Sequence, residues 1–102
     1  MYDQLKRTLA DYFRHEPVVR AYLFGSYARS AQDNESDIDL LVELDYEHGA
    51  DFYSFLRMQR ELPLLLNKPV DLVSANGLSP YIKPIIDREK VLLYENTAGQ
   101  SS

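Results

Sequence analysis

Cysteine is absent from this chain of 102 residues, and only two residues are histidine. The absence of cysteine excludes disulfide bonds and thiol chemistry, and it leaves no disulfide evidence of export. Neither His15 nor His48 has a second ligand at a metal-binding spacing. We therefore expect both imidazoles to face solvent and to take no part in catalysis.

Long apolar runs and clusters of basic residues are missing as well. No apolar run reaches the roughly 18 residues of a membrane-spanning helix, and residues 1–10 are amphipathic, without the apolar core of a signal peptide. The net charge is −5 and the lysines and arginines are scattered. A long nucleic acid is therefore a poor partner, whereas a nucleotide carried with a cation is compatible. We expect a cytoplasmic protein with no membrane partner.

The remaining composition is typical of one globular domain, with apolar patterns that predict helices and strands in strict alternation. The predicted helices lie near residues 3–14, 27–31, 51–62 and after Ser79-Pro80, and the predicted strands are 18–24, 37–44, 70–73 and 91–94. This order predicts an α/β domain, a small mixed β-sheet with helices packed on it, over residues 1–95. Residues 96–102 are polar and predict a disordered tail.

Two helices carry apolar stripes at helical spacing. In the first helix, Leu5, Leu9 and Phe13 recur every fourth residue and predict a buried face. In the third helix, Phe52, Phe55, Leu56 and Leu62 predict a core stripe, and Pro63 stops or kinks the helix unless residues 64–66 extend it. Part of this stripe, or the run 62–66, is alternatively a partner contact, because so small a chain has limited cover for apolar surface.

The most informative stretch places two aspartates, Asp37 and Asp39, at the start of the second strand. Residues two apart share a face of a strand, so both carboxylates point one way while Ile38, Leu40 and Val42 point into the core. Two adjacent carboxylates repel each other unless positive charge lies between them. A pair of divalent cations about 3.5–4 Å apart is a common solution. The pattern therefore predicts a metal and phosphate site.

Three further features complete this candidate site. Gly25 lets a phosphate approach the backbone, and the Ser26 hydroxyl adds a donor. Asp71 interrupts an apolar strand; if that strand lies beside the strand of Asp39, Asp71 joins the first metal or takes a proton from an attacking hydroxyl. Arg29, three residues after Ser26, can neutralise phosphate charge.

Ordinary structural roles are the alternatives for these residues. Gly25 can simply end a strand, and Glu43, on the face of Asp39, is a surface or partner-facing charge. Ion pairs are the competing interpretation for two others: Asp71 with Lys68 or Arg88, and Arg29 with Asp33 or Asp37.

The motifs together resemble a known superfamily. Gly25-Ser26, a spacer of ten residues, Asp37-Ile38-Asp39 and a later lone strand aspartate are similar to the nucleotidyltransferases that include DNA polymerase β. The segments 25–29 and 36–40 are most similar to its smallest members, the minimal nucleotidyltransferases, and the resemblance extends over residues 18–94. It implies the nucleotidyltransferase fold, ATP as substrate and two Mg²⁺ ions, for which Mn²⁺ is an equal fit.

The resemblance also implies a role for each site residue. In that superfamily the first two acidic residues bind both metals and the third binds the catalytic one, and these match Asp37, Asp39 and Asp71. Gly25 and Ser26 match the turn that holds the nucleotide phosphates.

Small bacterial members are commonly antitoxins paired with a HEPN-domain ribonuclease, and they transfer AMP from ATP to a tyrosine of that toxin. The resemblance implies the same activity here, with a HEPN toxin as partner in a hetero-oligomer. The absence of a second substrate-binding domain favours this reading. Two alternatives stay open: transfer to a hydroxyl of a small molecule such as an aminoglycoside, and neutralisation of a toxin by binding alone.

Overall fold

The structure, a computed structural model, describes residues 2–28 and 37–96. Helices and strands alternate as predicted, which confirms the mixed α/β class. The helices are α1 Tyr2–Arg14, α2 Gly25–Ala28, α3 Phe52–Leu66 and α4 Lys83–Glu89, and the strands are β1 Val18–Phe24, β2 Ile38–Leu44, β3 Val70–Ser74 and β4 Val91–Glu95. Single 3-10 turns at Tyr46–His48 and Ala75–Gly77 follow β2 and β3.

The strands form one sheet in the order β3-β2-β1-β4. β1 is antiparallel to both β2 and β4, whereas β2 and β3 are parallel. A parallel pair needs a long crossover, and α3 supplies it. Asn96, the first residue of the predicted tail, donates its backbone N–H to the carbonyl of Val19 at 2.8 Å. The rest of that tail, 97–102, lies outside the described residues.

One face of the sheet is buried under α1 and α3. Leu9 and Phe13 are fully buried and Leu5 packs against them, which confirms the stripe predicted for α1. α3 contributes Met58 and Leu62 to the same core. The sheet contributes alternate residues of its two central strands, Ala21, Leu23, Ile38, Leu40, Val42 and Leu44. Because side chains alternate along a strand, the residues between these positions occupy the second face.

The prediction for α3 is partly wrong. Phe52 and Leu56 are 70% and 38% exposed, so they do not belong to the core. The buried face is built instead by Phe55, Met58 and Leu62, which recur every three or four residues. The helix also continues past Pro63 to Leu66, as the extended form of the prediction requires. None of the helices within the described ranges has the length and apolar composition that a bilayer crossing requires.

Candidate active site

The strand register brings Asp39 and Asp71 together at one end of the sheet. Asp39 of β2 is the direct neighbour of Asp71 in the parallel strand β3. Ile38, the residue before Asp39, and Leu72, the residue after Asp71, are both buried in the core. Because side chains alternate along a strand, the two carboxylates lie on the second face. The condition set by the sequence, that the strand of Asp71 lie beside that of Asp39, is met.

Gly25 closes the other side of Asp39. It follows β1 directly, at the level where Phe24 pairs with Asp39, and its φ of +73° lies in the left-handed region that favours glycine. A β-carbon placed on Gly25 would overlap the Oδ2 atom of Asp39 and lie only 3.0 Å from its Cγ atom. Gly25 therefore does more than end a strand, because its lack of a side chain makes room for the Asp39 carboxylate.

The remaining predicted residues are distributed around this pair. Asp37 is exposed and directly precedes β2. Asp71 is also exposed, and no ion pair joins it to Lys68 or Arg88 in the described part of the chain. Ser26 is the second residue of α2, with its side chain outside the described structure.

Three other residues considered in the sequence either fall outside the described residues or are paired elsewhere on the sheet. Arg29 and Asp33 fall in 29–36, outside the described residues. Glu43 is a partly exposed surface charge, as expected. Its carboxylate forms a salt bridge of 3.0 Å with Arg20, which also forms one of 2.7 Å with Glu95 across the sheet.

The carboxylates match the ligand chemistry of Mg²⁺. Within residues 2–28 and 37–96, no three acidic, histidine or cysteine side chains form a ready-made metal cage. Mg²⁺ rarely uses such a cage, because it is usually bound by one or two carboxylates together with substrate phosphates and water. Adjacent Asp39 and Asp71, with the exposed Asp37 at the same strand end, provide hard oxygen ligands of this kind. The residues thus fit a cation that arrives with a nucleotide.

Lys68 is a site neighbour that the sequence reasoning missed, having treated it only as an ion-pair partner. Its Nζ atom lies 6.0 Å from the centroid of the Tyr27 ring in α2. The next residue, Pro69, accepts a hydrogen bond from the backbone N–H of Ile38 at 3.1 Å. A lysine followed by proline just before the strand of Asp71 is visible in the sequence, but only the fold shows that it reaches this end of the sheet.

A shallow cleft of about 280 Å³ extends along the second face beside α4. Tyr22 and Leu41 belong to its lining, and the Nζ atom of Lys90 lies 4.3 Å from the centroid of the Tyr22 ring. Leu41 is two residues along β2 from Asp39, so the cleft lies on the same face of the sheet as the candidate site.

Comparison with known proteins gives consistent matches over most of the chain. Residues 5–98 match the family described as Polymerase beta, Nucleotidyltransferase. A Methanocaldococcus jannaschii protein, provisionally named protein adenylyltransferase MJ0435, is 37% identical over 89 residues, which cover 87% of this chain and 94% of the relative. Protein adenylyltransferase MntA of Thermococcus cleftensis is 36% identical over 69 residues, which cover 68% of each chain.

Solved structures share the fold. A structure described as a minimal nucleotidyltransferase is 31% identical, with a TM-score of 0.74 over 88% of this chain and 93% of its own. A toxin-antitoxin crystal structure with AMP-PNP has a TM-score of 0.75 at 22% identity, covering 94% of this chain and 77% of its own. A complex of a tri-AMPylated Shewanella oneidensis HEPN toxin with an MNT antitoxin has a TM-score of 0.71 at 20% identity, covering 99% and 78%.

The fold and these matches define an enzyme of the nucleotidyltransferase class. The chain belongs to the polymerase beta nucleotidyltransferase family, as its Gly-Ser and Asp-Ile-Asp motifs implied.

Proposed function

We propose that this chain is an antitoxin that transfers AMP from ATP to a tyrosine of a HEPN ribonuclease toxin and thereby inactivates it. The observation that carries the proposal is the in-register pair Asp39 and Asp71 beside Gly25, in a member of this family. Relatives named protein adenylyltransferase and the toxin-antitoxin complexes among similar folds support the protein acceptor. The cytoplasmic location belongs to the same proposal.

Each predicted residue has a role in binding. Asp37, Asp39 and Asp71 hold two Mg²⁺ ions, or Mn²⁺ in their place. When bound with ATP, these ions supply positive charge beside the reacting phosphates. Gly25 and Ser26 receive the phosphates, because a residue without a β-carbon leaves the backbone amide accessible.

The reaction is an in-line displacement at the α-phosphorus of ATP. The acceptor oxygen forms a bond to that phosphorus, and the bond from it to the oxygen that bridges to the β-phosphate breaks. Pyrophosphate leaves with the electron pair, and the hydroxyl proton passes to Asp71. A free tyrosine has a pKa of about 10, so a carboxylate within hydrogen-bond reach is needed to take this proton. Arg29 neutralises charge on the departing phosphates.

Two features of the described structure favour a protein over a small molecule as acceptor. The cleft lined by Tyr22 and Leu41, on the same face of the sheet as Asp39, has a volume of about 280 Å³, slightly below the roughly 300–1,000 Å³ of small-molecule pockets. The outer face of α3 exposes Phe52, Tyr53 and Leu64 by 70%, 80% and 80%. Several large apolar side chains exposed together on one helix face often mark a site of contact with another protein. In this proposal the toxin covers the outer face.

The decisive experiment incubates this chain with ATP, Mg²⁺ and the product of the neighbouring gene, followed by intact-mass and peptide mass spectrometry of that product. The expected result is one or more AMP groups on tyrosine and loss of ribonuclease activity. A neighbouring product that is not a helical HEPN protein, or AMP found on an antibiotic instead, contradicts the proposal.

Binding alone is the second candidate, and the exposed apolar face of α3 is the observation that favours it. Asp37→Asn combined with Asp39→Asn separates the two functions, since it removes the carboxylates without altering α3. If the double variant still protects cells from the toxin at normal expression, binding suffices and the enzymatic explanation of protection is wrong.

A further inference from the structure

Lys68 occupies the loop between α3 and β3, at the end of the sheet that carries the aspartates. The hydrogen bond from Ile38 to Pro69 ties this loop to the start of β2, at 3.1 Å. The Nζ atom of Lys68 lies over the ring of Tyr27, 6.0 Å from its centroid, in the helix that Gly25 begins. The loop that carries Lys68 thus adjoins both the start of β2, one residue before Asp39, and the helix that Gly25 begins.

A nucleotide at this site needs cations from the protein. ATP brings several negative charges to three carboxylates, and the chain as a whole has a net charge of −5. Lys68 is a described cation near this end of the sheet, because the residue after it is hydrogen-bonded to Ile38, the neighbour of Asp39.

The environment of Lys68 also holds its side chain in place. The residue is half-buried, so its aliphatic stem packs on the protein while the ammonium group is carried to the surface. An ammonium within about 6 Å of an aromatic ring centroid is attracted to the ring face. Tyr27 is itself 7% exposed and belongs to the core, so it is a fixed support.

We infer that Lys68 is a phosphate-binding residue that donates hydrogen bonds to the β- and γ-phosphates of ATP and stabilises pyrophosphate as it leaves. This inference rests on the proposed function. A lysine ammonium serves this purpose because it is a compact charge with three donors. AMP lacks the two outer phosphates, so Lys68 contributes to the binding of ATP and pyrophosphate but not of AMP.

The test measures the affinity of the full chain for ATP and for AMP in the presence of Mg²⁺, by calorimetry. Lys68→Met keeps the packed stem and removes the charge, Lys68→Arg restores a charge, and Lys6→Met on α1 is the control on the opposite face of the sheet. We expect Lys68→Met to weaken ATP binding roughly 10-fold or more and to leave AMP binding within about 2-fold. Lys68→Arg recovers most of the loss, and Lys6→Met behaves as wild type.

Three results overturn the inference. Unchanged ATP affinity in Lys68→Met excludes the contact. Equal losses for ATP and AMP, together with a lower unfolding temperature, assign Lys68 a structural role through Tyr27. A wild-type chain that binds ATP no better than AMP excludes any role for Lys68 on the outer phosphates. Failure of the proposed function gives a different pattern, because then ATP binds in a Lys68-dependent manner but no AMP reaches the toxin.

Discussion

Gly25 and Asp39 meet at the end of β1 with no space between them for a β-carbon. The backbone of Gly25 has a φ of +73°, and an added Cβ atom would overlap the Oδ2 atom of the Asp39 carboxylate. Gly25 thus adopts a positive φ that other residues disfavour, and its missing side chain leaves room for the carboxylate of Asp39, the neighbour of Asp71. Substitution at position 25 has separable effects on stability and on activity.

Gly25→Ala should abolish AMP transfer while leaving a folded protein. The alanine is strained at positive φ, which costs about 1 kcal/mol, and its methyl group turns the Asp39 carboxylate away from Asp71. Transfer assays and urea denaturation measure the two effects. Gly49→Ala is the matched control, because Gly49 has a φ of +101° and no atom within 4 Å of an added Cβ. Equal loss of activity in both variants would show that strain, and not contact with Asp39, is responsible.

Asp71→Asn should inactivate the enzyme and stabilise the fold. Asp39 and Asp71 are direct neighbours of like charge across β2 and β3, an arrangement that costs roughly 0.2–1 kcal/mol. We expect transfer to fall about 100-fold or more, while the free energy of unfolding without Mg²⁺ rises by a few tenths of a kcal/mol, less at high salt. Asp11→Asn, an exposed change on α1, serves as the control for net charge. Full activity in Asp71→Asn would remove this residue from the site.

The strands were predictable because each is a run of β-branched, aromatic and apolar residues between polar or glycine-containing segments. β1 was predicted with its observed ends, Val18 and Phe24, since Pro17 and Gly25 flank it. The face of β2 on which Asp39 lies follows from the same alternation, whereas Asp37, predicted to begin the strand, directly precedes it. The adjacency of Asp39 and Asp71 did not follow, because a parallel pairing and its register depend on how α3 crosses over the sheet.

The core face of α3 was not predictable from periodicity for a related reason. Apolar residues lie on both sides of this helix, so the spacing of Phe52 and Leu56 is as helical as that of Met58 and Leu62. Only packing against the sheet selects the second pair. The proximity of Lys68 to Tyr27 was not predictable for the same reason, since it is a property of the fold and not of spacing.

Leu64→Glu should weaken toxin binding without affecting nucleotide binding. The Leu64 side chain is 80% exposed on α3, so the isolated chain loses little packing when it is replaced. Burying a new carboxylate in an apolar interface should reduce affinity for the toxin roughly 10-fold or more, measured by calorimetry. Ile85→Glu makes the same kind of change on α4, where the residue is 49% exposed, and should leave affinity unchanged. If Ile85→Glu alone disrupts the complex, the toxin binds beside α4 instead.

Tyr12→Phe should lower stability at neutral pH, by an amount that shrinks in strong alkali. The Tyr12 hydroxyl donates a hydrogen bond of 2.7 Å to Glu61, which Arg57 also contacts at 3.3 Å. Burial, and then the hydrogen bond to Glu61, raises the pKa of Tyr12 well above its ordinary value. The folded chain therefore holds this proton more tightly than the unfolded chain, and the stabilisation is complete below the unfolded pKa of about 10 and declines as the pH rises above it.

Urea denaturation of wild type and Tyr12→Phe from pH 7 to pH 11 tests this linkage. The variant should be less stable by about 1.5 kcal/mol at pH 7. The difference in stability should narrow above about pH 10, because only in the wild-type chain does residue 12 release a proton when the chain unfolds. The titration of the other tyrosines is common to both proteins and cancels. Tyr46→Phe, an exposed control, should show no difference at any pH. A constant gap between wild type and Tyr12→Phe across this range would mean that the hydroxyl acts through packing and not through its bond to the Glu61 carboxylate.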